Sequence, residues 1–418
     1  MNGEAQAVCV ASALGSSHPV SLPSLTLTGM IQETPPPATP HPIDPWEGLK
    51  TAVWTVLYLI CADIGFNVLF AMPQDVKQIP NTLQAYFEYG RSVEGKLRYQ
   101  VGPTPERTAP IAEPGWLGDG TPFNDQDQPT QPRQPGQLMI ATYGGSFNQR
   151  LSLAIEKNYG DSVTVRKVSA PGGPLNWAYA AYQDDPGADA ANAVVLTVMS
   201  MNITSFTLGG QFGDLPSPYT RPIFALAEES GDQAATATKL QRIDPPIQDL
   251  AAMQRGLWED PSLWQAHVAQ IKAHDPYYNP ILFNRSLLDR SSLVRLLMRG
   301  YGLFFNSSID RQFYTPRDGF NPDSVMLQTI FAMLTEFGQS ARDQGQIPVV
   351  YIVNNKGWGT QLYDVLHPVL EANNISYVSS HTLVSPDDPY LFLPDGHFIP
   401  DRDAALGSAV LQTIRDQL

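Results

Sequence analysis

The chain has 418 residues, 43% of them hydrophobic, and a formal net charge of −15. Such a length suits one large domain with appendages or two modest domains. Lysine and arginine total 26 against 41 acidic residues and form no basic block, which argues against a nucleic-acid partner. Both cysteines, Cys9 and Cys61, precede the main part of the chain, so that part has no cysteine metal site and no cysteine nucleophile.

Residues 1–48 predict a disordered tail. The first 49 residues contain no lysine or arginine and are rich in proline, serine and threonine. A start at Met30 is also compatible with the sequence, so residues 1–29 are the part with the weakest assignment.

Residues 49–73 predict a transmembrane anchor, because TAVWTVLYLICADIGFNVLFAM is apolar over a length that crosses a bilayer. The segment is longer than the apolar core of a secretory signal and begins about fifty residues in, which favours an uncleaved anchor. Asp63 and Asn67 lie one turn apart near its centre, and an intramembrane polar pair indicates a membrane-protein partner. A buried helix of a soluble domain is the alternative.

Two segments connect this anchor to the main domain. Residues 74–100 predict an amphipathic or stalk helix at the membrane surface. Residues 101–136 are dense in Pro, Gly, Asp and Gln, which is typical of a linker.

Residues 137–418 predict an α/β domain. Short apolar runs alternate with helical stretches, and alternation of this kind indicates a parallel sheet. An insertion of about residues 203–346 separates the third strand from the fourth, and insertions at strand ends commonly shape a site. In chain order the strands are LMIATYG, VTVRKVSA, AVVLTVMSMN, IPVVYIVNN and ISYVSSHTLV.

Several polar or glycine-rich loops follow these strands. Ligands of open parallel sheets bind outside the carboxyl ends of the strands, so we expect the loops to meet at one rim. Ser146 follows the first strand, and Asp395 and His397 lie in the loop after the fifth. The other loops contain Gly172, Gly173 and Asn202.

These residue types together indicate nucleophilic catalysis. A serine hydroxyl needs a base within hydrogen-bond reach, and a histidine can serve near neutral pH. Asp395, two residues before His397, could orient the imidazole. The Ser146 N–H, a Gly172 or Gly173 N–H and the Asn202 amide could form the oxyanion site. The alternatives are a helix cap for Ser146 and a turn-forming Asp-Gly for Asp395.

In motif order, the domain resembles the SGNH, or GDSL-type, hydrolases over about residues 137–418. The matching blocks are YGGSF, SAPGGPLN, VMSMNIT and PDGHFIP. The resemblance implies a flavodoxin-like three-layer α/β/α sandwich with a five-stranded parallel sheet and Ser–His–Asp esterase, lipase or acyltransferase chemistry. It implies catalytic roles for Ser146, His397 and Asp395.

The chain departs from the family pattern at three places. Gly-Gly-Ser replaces Gly-Asp-Ser, and Ser200-Met201-Asn202 replaces Gly-x-Asn. The family's Asp-x-x-His would put its acid at Pro394, so the spacing here is Asp-x-His. Asp395, His397, Asp401 and Asp403 also cluster, but no second histidine joins them, so we expect no metal and no cofactor.

The function predicted from the sequence is a membrane-anchored serine esterase or acyltransferase of the cell envelope. Its expected substrates are O-acyl groups, such as acetyl, of an envelope or exported polysaccharide, or other esters. The main domain is expected in the periplasm. The alternative is a catalytically silent relative that binds polysaccharide or acts as an assembly factor.

Overall fold

The computed structural model describes residues 45–113, 115–117, 133–203, 218–228 and 238–418. In chain order the strands are β1 (Leu138–Gly144), β2 (Val163–Ser169), β3 (Ala193–Met199), β4 (Ile223–Glu228), β5 (Thr238–Ile243), β6 (Tyr314–Thr315), β7 (Gly319–Phe320), β8 (Ile347–Val353) and β9 (Ser376–Ser379). The α-helices are α1 (Pro45–Leu69), α2 (Thr82–Glu88), α3 (Val93–Gln100), α4 (Ser146–Tyr159), α5 (Leu175–Asp184), α6 (Leu250–Trp258), α7 (Pro261–His274), α8 (Pro280–Phe283), α9 (Ser292–Asp310), α10 (Val325–Asp343), α11 (Gln361–Ala372) and α12 (Pro400–Arg415).

A five-stranded parallel sheet forms the centre of the domain, in the order β2-β1-β3-β8-β9. The predicted α/β class is therefore confirmed. The strands are apolar without alternation because both faces of the sheet are covered. The chain adds β2 on one side of β1 and β3 on the other, and a switch point of this kind opens a crevice at the carboxyl ends of the strands.

Helices cover the two faces of the sheet and produce the three layers. On one face, α4 and α12 bury Leu151, Ile155, Leu406 and Val410. On the other face, α5, α10 and α11 form a second cluster that includes Phe337, which is fully buried. Both clusters are continuous along the sheet, so the strand ends are held on a rigid base.

Helix α1 is the one helix in the described ranges that is long and apolar enough to cross a membrane. It has 25 residues, a mean hydropathy of 1.8 over its best window, and no buried residue. It begins at Pro45 and ends at Leu69, a few residues earlier at each end than the anchor predicted at 49–73. The predicted tail of residues 1–48 lies outside the described residues except for its last four, which start α1.

The segment predicted as a stalk, residues 74–100, differs from that expectation. It contains two short helices, α2 and α3, which are packed on the insertion instead of extending from the domain. Their packing is close: a Cβ added at Gly90 would lie 1.7 Å from the carbonyl oxygen of Arg295. An ion pair holds this contact together, since the buried Glu88 carboxylate lies 3.3 Å from the Arg295 guanidinium.

The predicted linker, residues 101–136, also differs in its first part. Val101, Ala112 and Trp116 are buried in a third hydrophobic cluster with residues of the insertion, among them Met253 and Trp264. Residues 114 and 118–132 of the predicted linker lie outside the described residues. The part of the chain before the sheet and the insertion within it therefore share one core.

Candidate active site

Ser146 is the first residue of α4 and is separated from the carboxyl end of β1 by Gly145 alone. Gly145 is the N-cap, and no side chain caps this helix end, so Ser146 does not serve as the helix cap. The chain turns from strand to helix at Gly144 and Gly145. Glycine is needed at the first of these positions because a Cβ on Gly144 would lie 2.7 Å from Thr197 Cβ and 2.8 Å from Asn148 Cβ. The hydroxyl is thus presented at the end of the helix where backbone N–H groups lack intrahelical partners.

A buried polar network fixes the first turn of α4 to the sheet. The Asn148 Nδ2 group donates to Ser169 Oγ of β2 at 2.9 Å, and its Oδ1 accepts from Thr197 Oγ1 of β3 at 3.0 Å. Ser152 Oγ lies 2.8 Å from Thr142 Oγ1 of β1. Because these groups are buried and paired, three strands determine where the helix begins.

His397 sits on a tight hairpin between β9 and α12. The Leu393 N–H donates to the His397 carbonyl oxygen at 2.7 Å, and the Gly396 N–H donates to the Leu393 carbonyl oxygen at 3.0 Å. Gly396 has φ +86°, a conformation that favours glycine. The Asp-Gly pair therefore does form a turn, and the turn directs the imidazole towards Ser146.

The structure brings Ser146, His397 and Asp395 together. His397 Nε2 lies 2.7 Å from Ser146 Oγ. His397 Nδ1 lies 3.1 Å from Asp395 Oδ2, at ion-pair distance but without hydrogen-bond alignment. The phenyl ring of Phe147 packs on the imidazole with ring centres 4.7 Å apart. This is the spatial order of a nucleophile, a base and an orienting acid.

Asp395 is held ready to stabilise a protonated imidazole. Partial burial raises the pKa of its carboxyl, but the backbone N–H of His397, which donates to Oδ1 at 3.1 Å, and the imidazole itself bring that pKa below its ordinary value. The side chain is 46% exposed and that of His397 is 21% exposed. The pair therefore lies near the surface, where a large substrate can reach it.

Arg150 is a residue of the site that the sequence does not identify, and its partner Asp403 is one that the sequence indicates only as a member of a carboxylate cluster. Arg150, one turn after Ser146, donates through Nε to Asp403 Oδ2 and through Nη2 to the Phe398 carbonyl oxygen, both at 2.9 Å. Burial raises the pKa of Asp403 to about 6, against the lowering effect of Arg150. The i, i+4 spacing from Ser146 was the available signal for Arg150; nothing local pointed to its partner.

The structure describes the predicted backbone oxyanion donors but not the predicted side-chain donor, Asn202. The Ser146 N–H lies at the N-terminus of α4. The Gly173 N–H donates to the Ala170 carbonyl oxygen at 3.0 Å and so closes a turn, while Gly172 adopts φ +59° at its tip. Asn202 ends a short 3-10 helix after β3, and its side chain lies outside the description. The amide of its neighbour Met201 is fixed by Asn355 Oδ1 at 3.1 Å.

Within the described ranges, no group of three or more His, Cys, Asp and Glu residues is arranged to hold a metal ion. In particular, Asp403, a member of the cluster noted in the sequence, instead pairs with Arg150.

No known protein-family model and no curated protein matches the chain. Two solved structures are similar to it. One is a GDSL-like lipase from Bacteroides thetaiotaomicron, with 9% identity, a TM-score of 0.32, and coverage of 69% of this chain and 92% of that one. The other, from Bacteroides fragilis, is designated an acylhydrolase, with 8% identity, a TM-score of 0.31, and coverage of 72% and 98%. Similarity this low assigns no role to any residue, so the activity is inferred from the geometry of the site.

Proposed function

We propose that the protein is a serine esterase or acyltransferase. The observation that carries the proposal is the 2.7 Å contact between His397 Nε2 and Ser146 Oγ at the uncapped N-terminus of α4. The imidazole takes the hydroxyl proton as Ser146 Oγ attacks an ester carbonyl carbon, which gives a tetrahedral oxyanion. The oxyanion then faces the helix N-terminus, where the Ser146 N–H stabilises its charge.

The acyl-enzyme forms when the oxyanion collapses and the leaving alkoxide takes the proton back from His397 Nε2. Asp395 stabilises the imidazolium in both steps, because its carboxylate lies 3.1 Å from Nδ1. A second nucleophile then releases the acyl group by the same steps in reverse order. Water as that nucleophile gives hydrolysis, and an acceptor hydroxyl gives transfer.

The finer proposal is that this site works at a membrane on O-acyl groups, such as acetyl, of an envelope or exported polysaccharide. Two observations support it. Asp395 and His397 lie near the surface, as a polymeric substrate requires. Helix α1 is apolar, exposed and long enough to anchor the chain in a bilayer.

We place the catalytic domain in the periplasm. A reporter fused after Leu418 tests this placement, and a reporter active only in the cytoplasm would overturn it.

The activity is tested by treating the detergent-solubilised full chain with a fluorophosphonate and measuring its intact mass. We expect one adduct that disappears in Ser146→Ala. Ser379→Ala is a matched control, since the Ser379 hydroxyl also lies 2.7 Å from a histidine nitrogen, His381 Nδ1, but Ser379 is buried and is the last residue of β9. This control should keep the adduct. A folded chain that gives no adduct and leaves 4-nitrophenyl acetate uncleaved would contradict the proposal and favour the binding-protein alternative.

A further inference from the structure

Helix α9 exposes a row of large apolar side chains. Leu297, Tyr301 and Phe304 follow at helical spacing and are 71%, 37% and 68% exposed. Before the helix, Ile281 and Leu288 are 63% and 60% exposed. We call these five residues the α9 apolar surface.

The part of this surface that precedes the helix adjoins α9 at a cavity. Ile281 and Leu288 line a cavity of about 260 Å³ together with Val294 and Met298 of α9. The surface therefore extends from the segment before α9 along the helix. An exposed apolar surface of this kind marks contact with a protein or a membrane.

The position of the α9 apolar surface relative to α1 favours a membrane over a protein as its contact. Asp63 Oδ1 of α1 accepts from Ser291 Oγ at 3.0 Å and from the Leu293 N–H at 2.9 Å, and Asn67 Oδ1 accepts from Ser292 Oγ at 2.9 Å. The two polar residues of the membrane candidate thus bind the N-terminus of α9 in the same chain.

The depth of this contact follows from the helix length. Asp63 stands six residues before the end of α1 at Leu69, about 9 Å along the axis at ~1.5 Å per residue. A helix of 25 residues is longer than the ~30 Å hydrocarbon core, so Asp63 falls near one bilayer interface and not at the bilayer centre. Helix α9, held there by its first residues, begins at the same level.

The charge around α9 also fits a lipid surface. Residues 281–311 contain five arginines and two aspartates, in a chain whose net charge is −15. Arg285, Arg290 and Arg311 are exposed. Exposed arginines beside an apolar helix face are the combination that binds anionic lipid headgroups.

We propose that the α9 apolar surface lies in the interfacial region of a bilayer that contains anionic lipid, as a second membrane contact beside α1. The inference rests on the proposal that α1 spans the membrane, but not on the catalytic proposal. Two contacts, one spanning and one lying flat, fix the domain against the membrane and so fix the direction in which its active site faces.

The test places an environment-sensitive fluorophore on single cysteines in the full chain, with Cys9 and Cys61 replaced by serine. The labelled positions are Leu297→Cys and Phe304→Cys, with Val56→Cys of α1 as the lipid reference and Gln339→Cys, exposed on α10, as the water reference. Proteoliposomes contain phosphatidylcholine and phosphatidylglycerol, and each label is quenched either by a nitroxide on the lipid chain or by aqueous iodide.

We expect the labels at 297 and 304 to be quenched by the lipid nitroxide, as at 56, and the label at 339 by iodide. Omitting phosphatidylglycerol, or introducing Arg285→Gln with Arg290→Gln, should reduce the lipid quenching at 297.

Iodide quenching at 297 and 304 with lipid quenching at 56 would overturn the inference and leave the anchor intact. Shielding of these labels from both quenchers would also overturn it, in favour of a protein or a second copy. Iodide quenching at 56 would overturn anchor and inference together, while fluorophosphonate labelling of Ser146 reports separately on catalysis.

Discussion

Arg150 and Asp403 are joined by a hydrogen bond of 2.9 Å across 253 positions of sequence. Arg150 lies one turn after Ser146 in α4, and Asp403 lies in the first turn of α12, six residues after His397. The same guanidinium group also binds the carbonyl oxygen of Phe398, next to His397. One side chain therefore links the helix that begins at Ser146 to the loop that contains His397.

The first prediction concerns this link. Arg150→Gln removes the charge and one of the two bonds, so the His397 loop is held less firmly while Ser146 and Asp395 remain. We expect kcat to fall about 10- to 100-fold with little change in KM, because small displacements of a reacting group are costly. Steady-state kinetics with 4-nitrophenyl acetate and the rate of fluorophosphonate labelling measure this effect.

Arg415→Gln serves as the matched control for Arg150→Gln, since Arg415 ends the same helix, α12, on which Asp403 lies. It should leave kcat unchanged. Arg150→Lys should restore part of the activity because a cation again faces Asp403. A kcat for Arg150→Gln equal to that of the unmodified chain would show that the link has no part in positioning His397.

The second prediction concerns the acid. Asp395→Asn removes the negative charge beside His397 Nδ1, so we expect kcat to fall about 100-fold, the range assigned to a positioned group in general acid–base catalysis. Asp401→Asn, an equally conservative change at an exposed carboxylate four residues after His397, should have no effect. Equal activity of Asp395→Asn and Asp401→Asn would remove Asp395 from the mechanism and leave a Ser–His pair.

The third prediction concerns the strand-to-helix turn. The methyl group of Gly144→Ala would lie 2.7 Å from Thr197 Cβ and 2.8 Å from Asn148 Cβ, closer than van der Waals contact. We expect a loss of about 1–3 kcal/mol in the free energy of unfolding, because overpacking strains a filled core. The same strain moves the first turn of α4 and should slow the fluorophosphonate labelling of Ser146.

Urea unfolding of the detergent-solubilised chain measures the stability of Gly144→Ala. Gly300→Ala is the control, because a Cβ at Gly300 meets nothing within 4 Å and alanine is the better helix former. This control should be as stable as the unmodified chain or more so. An unchanged midpoint and labelling rate for Gly144→Ala would contradict the steric account of the glycine.

The sequence predicts the sheet and the meeting of site residues because both depend on local patterns. LMIATYG is a short apolar run that ends at glycines, and it forms β1 with the same bounds. The PDGH loop contains proline and glycine at positions where a tight turn needs them, and the turn is present. Parallel order then brings Ser146 and His397 to one rim.

The remainder of the fold depends on pairings between distant residues, which no local pattern shows. The Trp258 indole N–H donates to the Val101 carbonyl oxygen, 157 positions away, at 3.0 Å, and this contact helps to make the predicted linker part of a core. Asp63 has its partners at the N-terminus of α9, 228 and 230 positions away. Composition indicates a loop-rich segment at residues 101–136, and the described residues 101–113 contain neither an α-helix nor a strand, but composition does not report what a loop packs against.

The fourth prediction concerns acid stability and His267 of α7. The side chain is 2% exposed and packs against Trp264 with ring centres 5.4 Å apart. Burial lowers the pKa of its imidazole from 6.5 to about 4, because the charged form is desolvated. Between these two values the unfolded chain binds a proton that the folded chain does not, so the contribution of His267 to stability is complete above pH 6.5 and is lost as the pH falls to about 4.

His267→Gln should therefore flatten the acid side of the stability curve. Linkage places the difference at about 3 kcal/mol across the window. Urea unfolding at a series of pH values from 4 to 8 measures it. His274→Gln, at the exposed C-terminal end of the same helix, is the matched control and should keep the slope of the unmodified chain. If His267→Gln and His274→Gln gave the same slope, the acid loss would have to come from other groups, and His267 would be protonated in the folded chain.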